Sequence, residues 1–271
     1  MSDSKLPLNK KDQQRLKEKR GSGTGMDYNP FIHIQELSSS GESIRVKSAT
    51  VGRLHHLISG IEFSAFLLFD WSNDVLDIRE QYPIPLQDSL AICRQLGIRH
   101  PQVKGELTIV TTDFLINKKD NVAAFAVKQT TELNNLRTLE KLQIEKTFCE
   151  YNHIEWKMFT EKEISPGFKE NLKWIKPFLD ADTASLYNIS PQDVYTLINR
   201  ISVAPNNLVT RLCAQLDDNY QLPPSYHIEV FRFAIANKYI SSSFEIPFHN
   251  WSVNDLTMNI SSASGEINHV S

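Results

Sequence analysis

Apolar spacing along the chain predicts helices and strands mixed together up to about residue 165. Apolar residues recur at helical spacing over Gly52–Phe69 and again over Asn134–Tyr151. Alternating or β-branched runs typical of strands cover 75–82, 108–116, 122–127 and 154–159. Because the turn-rich segment Asn117–Asn121 separates two of these runs, we predict a β-hairpin there. This half of the chain therefore has an α/β pattern.

The pattern changes around Ser165-Pro166-Gly167, where mainly helical spacing begins. Helical patterns cover 168–179, 191–201, 206–216 and 224–237, and an extended segment follows at 240–248. Several short helices followed by a β-ribbon are typical of a winged helix. We therefore predict a core domain over 26–165, a small winged-helix-like C-terminal domain over 166–251, and a polar tail over 252–271.

The first 25 residues are polar and basic, and a glycine-rich stretch, Gly21–Gly25, ends them. Few apolar residues are available to offset the entropy lost on ordering, so we predict a flexible arm over 1–25. It is either a solvated tail or an arm that contacts phosphates, since clustered cations release counterions from DNA. Composition alone favours the solvated tail.

Composition is ordinary for a soluble protein, with 41% hydrophobic and 23% charged residues among 271. The formal net charge of −3 gives no general reason to expect nucleic-acid binding, so any DNA contact depends on local basic patches. No apolar run is long enough to cross a bilayer, and three widely spaced cysteines argue against a disulfide framework. We expect a cytoplasmic protein without a membrane partner.

Three side chains have the chemistry that phosphodiester hydrolysis needs. Carboxylates hold Mg²⁺ through oxygen, and a nearby lysine positions water or stabilises developing charge. Asp113 and Lys128 lie on the two strands of the predicted hairpin, and Glu62 lies on the helix that precedes it. Spacing alone also fits a solvated turn with charges at its ends, which is the commoner explanation of such a pattern.

Position 126 departs from the pattern of nucleases of the PD-(D/E)xK class. Those enzymes carry an acid two residues before the lysine, whereas this chain has Ala126. The side-chain carboxylates of the site are then Glu62 and Asp113. We expect the main-chain carbonyl of Val127 to be a further oxygen ligand for the metal.

Several motifs in the same order resemble the TnsA family, the endonuclease subunits of heteromeric transposases. The residues that carry the resemblance are Gly52–Ser59 leading to Glu62, Val75–Pro83, Thr112–Leu115, Ala126–Lys128, Arg137–Leu142 and Phe159–Ile164. A glycine-rich entry at Gly21–Tyr28 accompanies them. The resemblance covers most of the chain up to about Lys176.

The resemblance implies a restriction-endonuclease-like PD-(D/E)xK core that cuts DNA at the 5′ ends of a transposon. By position, Glu62 and Asp113 match the metal-binding acids and Lys128 matches the catalytic lysine. Mg²⁺ is the implied cofactor, with Mn²⁺ as a substitute. The implied partners are transposon-end DNA, a DDE-type transposase that cuts the 3′ ends, and an AAA+ ATPase regulator.

Two further positions matter for the resemblance. The family has a glutamine at the position of Ala126, so that metal contact is missing here. Glu145 matches another acidic position near the family's site, although an exposed helical glutamate is the commoner explanation of such a residue.

Two other functions fit the same residues. A stand-alone restriction-type endonuclease would share the chemistry but recognise its own sequence. A DNA-binding or scaffolding subunit with a decayed site would account for Ala126.

Overall fold

The computed structural model describes residues 6–36, 43–179 and 185–259. The chain divides into two compact units, residues 1–163 (unit 1) and 164–271 (unit 2). Within the described ranges, no helix has both the length and the apolar character that a membrane span requires.

Unit 1 is built on a four-stranded mixed sheet. Its strands are β3 (Val75–Pro83), β6 (Thr111–Lys118), β7 (Val122–Val127) and β8 (Glu155–Phe159), in the order β3-β6-β7-β8. Strand β6 is antiparallel to both β3 and β7, whereas β7 and β8 run parallel. Parallel neighbours need a crossover, and α4 (Leu136–Tyr151) provides it. These elements confirm the predicted hairpin, helix and flanking strands.

Helices cover both faces of this sheet. Helix α2 (Gly60–Trp71) lies on one face, where Phe69 packs against Phe114 and Phe125. The other face packs against α3 (Leu86–Leu96) and α4 through a core that includes Ile84, Ile92, Leu115, Ala124, Ile144 and Phe148. Two small hairpins complete the unit, β1 (Ile44–Lys47) with β2 (Leu54–Leu57) and β4 (Gln102–Val103) with β5 (Glu106–Leu107).

The prediction of one helix over Gly52–Phe69 is wrong in its first half. Residues 54–57 form β2, which pairs with β1, and α2 begins only after Ser59. Ser59 caps the helix, because its Oγ accepts a hydrogen bond from the backbone N of Glu62 at 3.1 Å. Pairing with the preceding strand β1 outweighs the helical spacing of residues 54–57.

The prediction of a flexible arm over 1–25 is wrong for the residues that the structure describes. Residues Lys10–Lys17 form helix α1, and Asn9 caps it. Asp12 on this helix is buried, and its Oδ2 accepts hydrogen bonds of 2.8 Å from Thr108 Oγ1 and from the backbone N of Ile109. These hydrogen bonds of Asp12 hold helix α1 in place of the apolar contacts that this segment lacks.

Among its described residues, unit 2 includes four α-helices of ten or more residues and a small two-stranded sheet. The helices are α5 (Pro166–Ile175), α6 (Pro191–Ile201), α7 (Val209–Asn219) and α8 (Tyr226–Ala236). Strands β9 (Ile240–Ser242) and β10 (Leu256–Met258) pair antiparallel. Its core includes Trp251, which is fully buried and lies beside Trp174, Phe231 and Phe244.

The extended segment predicted over 240–248 is shorter than expected, and the predicted polar tail is part of the fold. Only 240–242 is strand, and its partner β10 lies within the segment 252–271 that was predicted as a tail. Ser252 also bridges Leu208, and Val253 is buried. Strand β10 was not predicted because it is short, only half-buried and part of a polar segment. The tail residues from 260 onward lie outside the described ranges.

Candidate active site

The sheet brings Asp113 and Lys128 into direct contact. Asp113 lies on β6, and Lys128 follows the last residue of β7. Lys128 Nζ donates to Asp113 Oδ2 at 2.7 Å, and the backbone N of Val127 donates to the same oxygen at 2.6 Å. The two strands therefore hold a carboxylate and an ammonium group against each other at one end of the hairpin.

Glu62 reaches the same site from the first turn of α2. Its Oε2 accepts from the backbone N of Ile58 at 3.0 Å, and its Oε1 accepts from Ser59 Oγ at 3.2 Å. Burial, with a second contribution from the charge of Asp113, nevertheless raises the pKa of Glu62 to about 8. The structure thus places Glu62 within electrostatic range of Asp113 and Lys128.

Glu145 on α4 is a further acid of this site. Only 4% of the residue is exposed, so the expectation of an exposed helical glutamate is wrong. Burial, followed by the charge of Asp113, raises the pKa of Glu145 to about 8. Among the described residues, its Oε2 has no hydrogen-bond partner. The sequence carried a signal, because position 145 lies three residues from both Leu142 and Phe148 on the apolar face.

The carboxylates of this site outnumber its cation. Burial alone would lower the pKa of Lys128, but the charges of Asp113 and Glu145 raise it. One ammonium group cannot balance three carboxylates in a buried site, so protons are held on Glu62 and Glu145. A bound divalent cation would favour the ionised form of these acids instead.

The residues fit a hard cation in chemistry, although their set of ligands is incomplete. Oxygen atoms of Glu62, Asp113 and Glu145 are the type that Mg²⁺ prefers. Ala126 is fully buried and supplies no ligand atom from its side chain. The Val127 carbonyl accepts a 2.8 Å hydrogen bond from Lys128 Nζ. Within the described part of the chain, no group of three or more His, Cys, Asp or Glu side chains has a ready arrangement for a metal ion.

A second buried carboxylate cluster lies on the neighbouring strand β3. Both carboxylate oxygens of Glu80 are bound by Arg53, and His55 Nδ1 lies 2.9 Å from Oε2. The backbone N of His56 donates to Oε1 at 3.0 Å. Burial alone would raise the pKa of Glu80, but the hydrogen bonds from Arg53 and His55 hold it at about 2. This cluster joins β2 to β3, and both oxygens of the Glu80 carboxylate have partners.

Comparison with known proteins identifies a family for both units. Residues 72–161 match the model of the TnsA-like endonuclease N-terminal family, and residues 163–243 match the TnsA endonuclease C-terminal family. Asp113, Lys128 and Glu145 fall inside the first match, whereas Glu62 precedes it.

A curated relative extends the similarity over most of the chain. The chain is 37% identical over 232 residues to the transposon Tn7 transposition protein TnsA of Escherichia coli. The aligned region covers 84% of this chain and 83% of the relative. This chain therefore belongs to the TnsA endonuclease family.

Proposed function

We propose that unit 1 is a metal-dependent DNA endonuclease of the PD-(D/E)xK type. As a TnsA family member, the chain is the endonuclease subunit of a heteromeric transposase. The observation that carries the proposal is the direct Asp113–Lys128 contact beside two buried acids whose pKa values are raised to about 8. Buried acids that lack a partner cation are typical of a site that takes a metal ion.

Glu62, Asp113 and the Val127 carbonyl are the proposed ligands of Mg²⁺, with Mn²⁺ as a substitute. When bound, such an ion would supply a Lewis acid that polarises a phosphoryl oxygen and makes water more acidic. The Val127 carbonyl accepts a 2.8 Å hydrogen bond from Lys128 Nζ, and the second lone pair of its oxygen is the one that the ion would use. Glu145, whose Oε2 is unpartnered within the described ranges, would add a third carboxylate for the same ion.

Lys128 supplies the positive charge that does not depend on the metal. Its raised pKa keeps the ammonium protonated at neutral pH, so it stabilises charge that develops on the phosphate. Water forms the new P–O bond, the P–O3′ bond breaks, and the departing 3′ oxygen takes a proton. The products are a 3′-hydroxyl and a 5′-phosphate at the 5′ ends of the transposon.

Unit 2 is the proposed winged-helix-like domain. Helices α6, α7 and α8 precede the β9–β10 hairpin, and the bridge between Leu208 and Ser252 adds a third extended position beside it. We propose transposon-end DNA, a DDE-type transposase and an AAA+ ATPase as the partners of the whole chain. The DDE-type partner would cut the 3′ ends, which leaves the 5′ ends to this subunit.

Replacing Asp113 with Ala tests the nuclease proposal. We expect cleavage at the 5′ ends, measured on end-labelled transposon DNA with the partner subunits present, to fall by roughly two to three orders of magnitude or more. Asp120→Ala is the matched control, because Asp120 is exposed in the turn of the same hairpin. Undiminished cutting by Asp113→Ala contradicts the assignment.

A metal titration separates a live site from a decayed scaffold, which Ala126 would favour. We expect Mn²⁺ to bind the wild-type chain and to bind Glu62→Gln more weakly, measured by calorimetry. Absence of Mn²⁺ binding to the wild-type chain would favour the scaffold. Cutting of naked DNA at a defined sequence without partners would favour the stand-alone endonuclease.

A further inference from the structure

A groove between α6 and α7 in unit 2 is lined by polar and aromatic side chains. Its volume is about 810 Å³, and its walls include Gln192, Tyr195, Asn199, Arg200, Asn219 and Tyr220. Among the described residues that line it, Arg200 is the single charged side chain. The groove therefore carries positive charge although the whole chain has a net charge of −3.

A buried chain of hydrogen bonds holds the Arg200 guanidinium in place. Arg200 Nη1 lies 2.8 Å from His227 Nε2, and His227 Nδ1 lies 2.5 Å from Asp217 Oδ1. Arginine can only donate, so Nε2 accepts and the proton of the neutral imidazole is on Nδ1, directed at Asp217. Both His227 and Asp217 are more than nine-tenths buried. The arrangement resembles the support given to binding groups, since buried partners orient the side chain that reaches the groove.

Tyr220 fixes the guanidinium from another side. Its ring lies under Arg200, with 3.7 Å between the guanidinium carbon and the ring centroid. Asp193 and Asp217 are not among the residues that line the groove. Asp193 accepts from Ser190 and Tyr226, and Asp217 accepts from His227. An anion in the groove therefore meets a fixed guanidinium and the amides of Asn199 and Asn219.

The helix that most often reads DNA in this kind of domain is not available here. In a helix-turn-helix the second helix enters the major groove, and that position belongs to α8. All eleven residues of α8 are described, and none of them is exposed. Arg232 on α8 is held by Glu229 and by the main-chain carbonyl of Trp174. DNA contact by unit 2 must use another surface.

We infer that unit 2 binds the DNA backbone through the α6–α7 groove, where Arg200 takes a phosphate. The inference rests on the proposed function, because the endonuclease supplies DNA as the polyanion. A guanidinium that is fixed and planar matches two phosphate oxygens. The contact positions the duplex and does not read its sequence.

The test measures binding of transposon-end duplex DNA to the full chain in the presence of a chelator, so that no cleavage occurs. We expect Arg200→Gln to weaken binding about tenfold, the loss of one charge-assisted contact. The slope of log affinity against log salt should become shallower by about one, since one fewer phosphate is neutralised. Arg211→Gln is the matched control on exposed α7 surface outside the groove, and we expect less than twofold change.

A second variant keeps the test decisive if Arg200→Gln fails to fold. Asn199→Asp places a carboxylate in the groove at an exposed position. It leaves the hydrogen bonds that link Asp217, His227 and Arg200 intact. We expect it to weaken DNA binding at least threefold by repulsion of phosphate, whereas Gln215→Glu on the exposed face of α7 should not.

The inference is overturned if both groove variants keep the wild-type affinity and salt slope, or if the wild-type chain binds no DNA. A protein partner is the competing occupant, and it would give groove variants that bind DNA normally but no longer associate with the other transposase subunits. Mn²⁺ titration of the same variants is unaffected in every case, so failure of the groove is distinguishable from failure of the nuclease site.

Discussion

Unit 1 buries two clusters that contain carboxylates, one around Glu80 on β3 and one around Asp113 on the adjacent strand β6, and they differ in where their positive charge comes from. Glu80 has both oxygens bound by Arg53, with His55 and a backbone N–H in addition, and its pKa falls to about 2. Glu62 and Glu145 are equally buried, but their pKa values rise to about 8. Burial is common to both clusters, so the supply of hydrogen bonds and cations decides the direction.

The difference separates structure from chemistry. A carboxylate whose partners all come from the fold ties elements together, as Glu80 ties β2 to β3. A buried carboxylate that has too little positive charge around it is stabilised when it binds a cation from solution. Lys128 balances only part of the charge of Asp113, Glu62 and Glu145. The predictions below test whether the two clusters respond oppositely to neutralisation, to pH and to metal.

Neutralising Glu80 should have the largest effect. Glu80→Gln leaves the guanidinium of Arg53 buried without its ion-pair partner, which typically costs about 3–5 kcal/mol. Glu62→Gln replaces an acid that already holds a proton, so we expect less than about 1 kcal/mol of change, in either direction. Native-state hydrogen exchange at the amides of β3 and β6, in chelator at pH 7, measures the stability of unit 1 separately from unit 2. Equal losses in the two variants would contradict the comparison.

The pH dependence of stability should have opposite signs at the two clusters. Glu62 and Glu145 have folded pKa values of about 8, above the ordinary 4.5, so the folded state holds more protons between these values. Without metal, their contribution is fully present below about pH 4.5 and is lost as pH rises to 8, by at most about 1.4 kcal/mol per pH unit for each acid. Glu80, with a pKa of about 2, stabilises above pH 4.5 and loses that contribution as pH falls.

The measurement compares unit 1 at pH 5.5 and pH 8 by the same exchange method, with chelator and with Mg²⁺. We expect the loss at pH 8 to be smaller in Glu62→Gln and to be reversed by Mg²⁺ in the wild-type chain, because the metal favours the ionised acids. A wild-type chain whose stability rises between pH 5.5 and 8 in chelator contradicts the raised pKa values.

The contrast also explains which parts of the molecule were predictable from sequence. The hairpin with Asp113 and Lys128, and helix α4, have strong local patterns, and the structure contains them where predicted. Strand β2 was predicted as helix because its partner β1 is not visible in local spacing. Helix α1 was missed because its anchor is Asp12, a polar residue that composition counts as solvent-exposed.

Burial of acids was the hardest property to predict. Glu80 and Glu145 look alike in sequence, since each is one of several charged residues on a segment that also carries apolar ones. The pKa of Glu80 is lowered by Arg53, which is 27 residues away, whereas the pKa of Glu145 on α4 is raised by burial and by the charge of Asp113 on β6. Such distant charges enter only through tertiary structure. The resemblance to a family located Glu62 and Lys128, but no local pattern showed that protons are held on Glu62 and Glu145.

Proton release on metal binding should be the smallest and most specific effect. At pH 7 an acid with a pKa of about 8 is mostly protonated, so a metal that ionises Glu62 and Glu145 expels roughly one proton from each. Titration of Mn²⁺ in buffers of different ionisation enthalpy counts these protons. Glu145→Gln should release about one fewer, whereas Glu150→Gln, an exposed position on the same helix, should match the wild type. Equal release by all three chains would mean that Glu145 keeps its proton when metal binds. Glu145 would then have a structural role like that of Glu80, and Glu62 and Asp113 alone would remain as the acids that bind the metal ion.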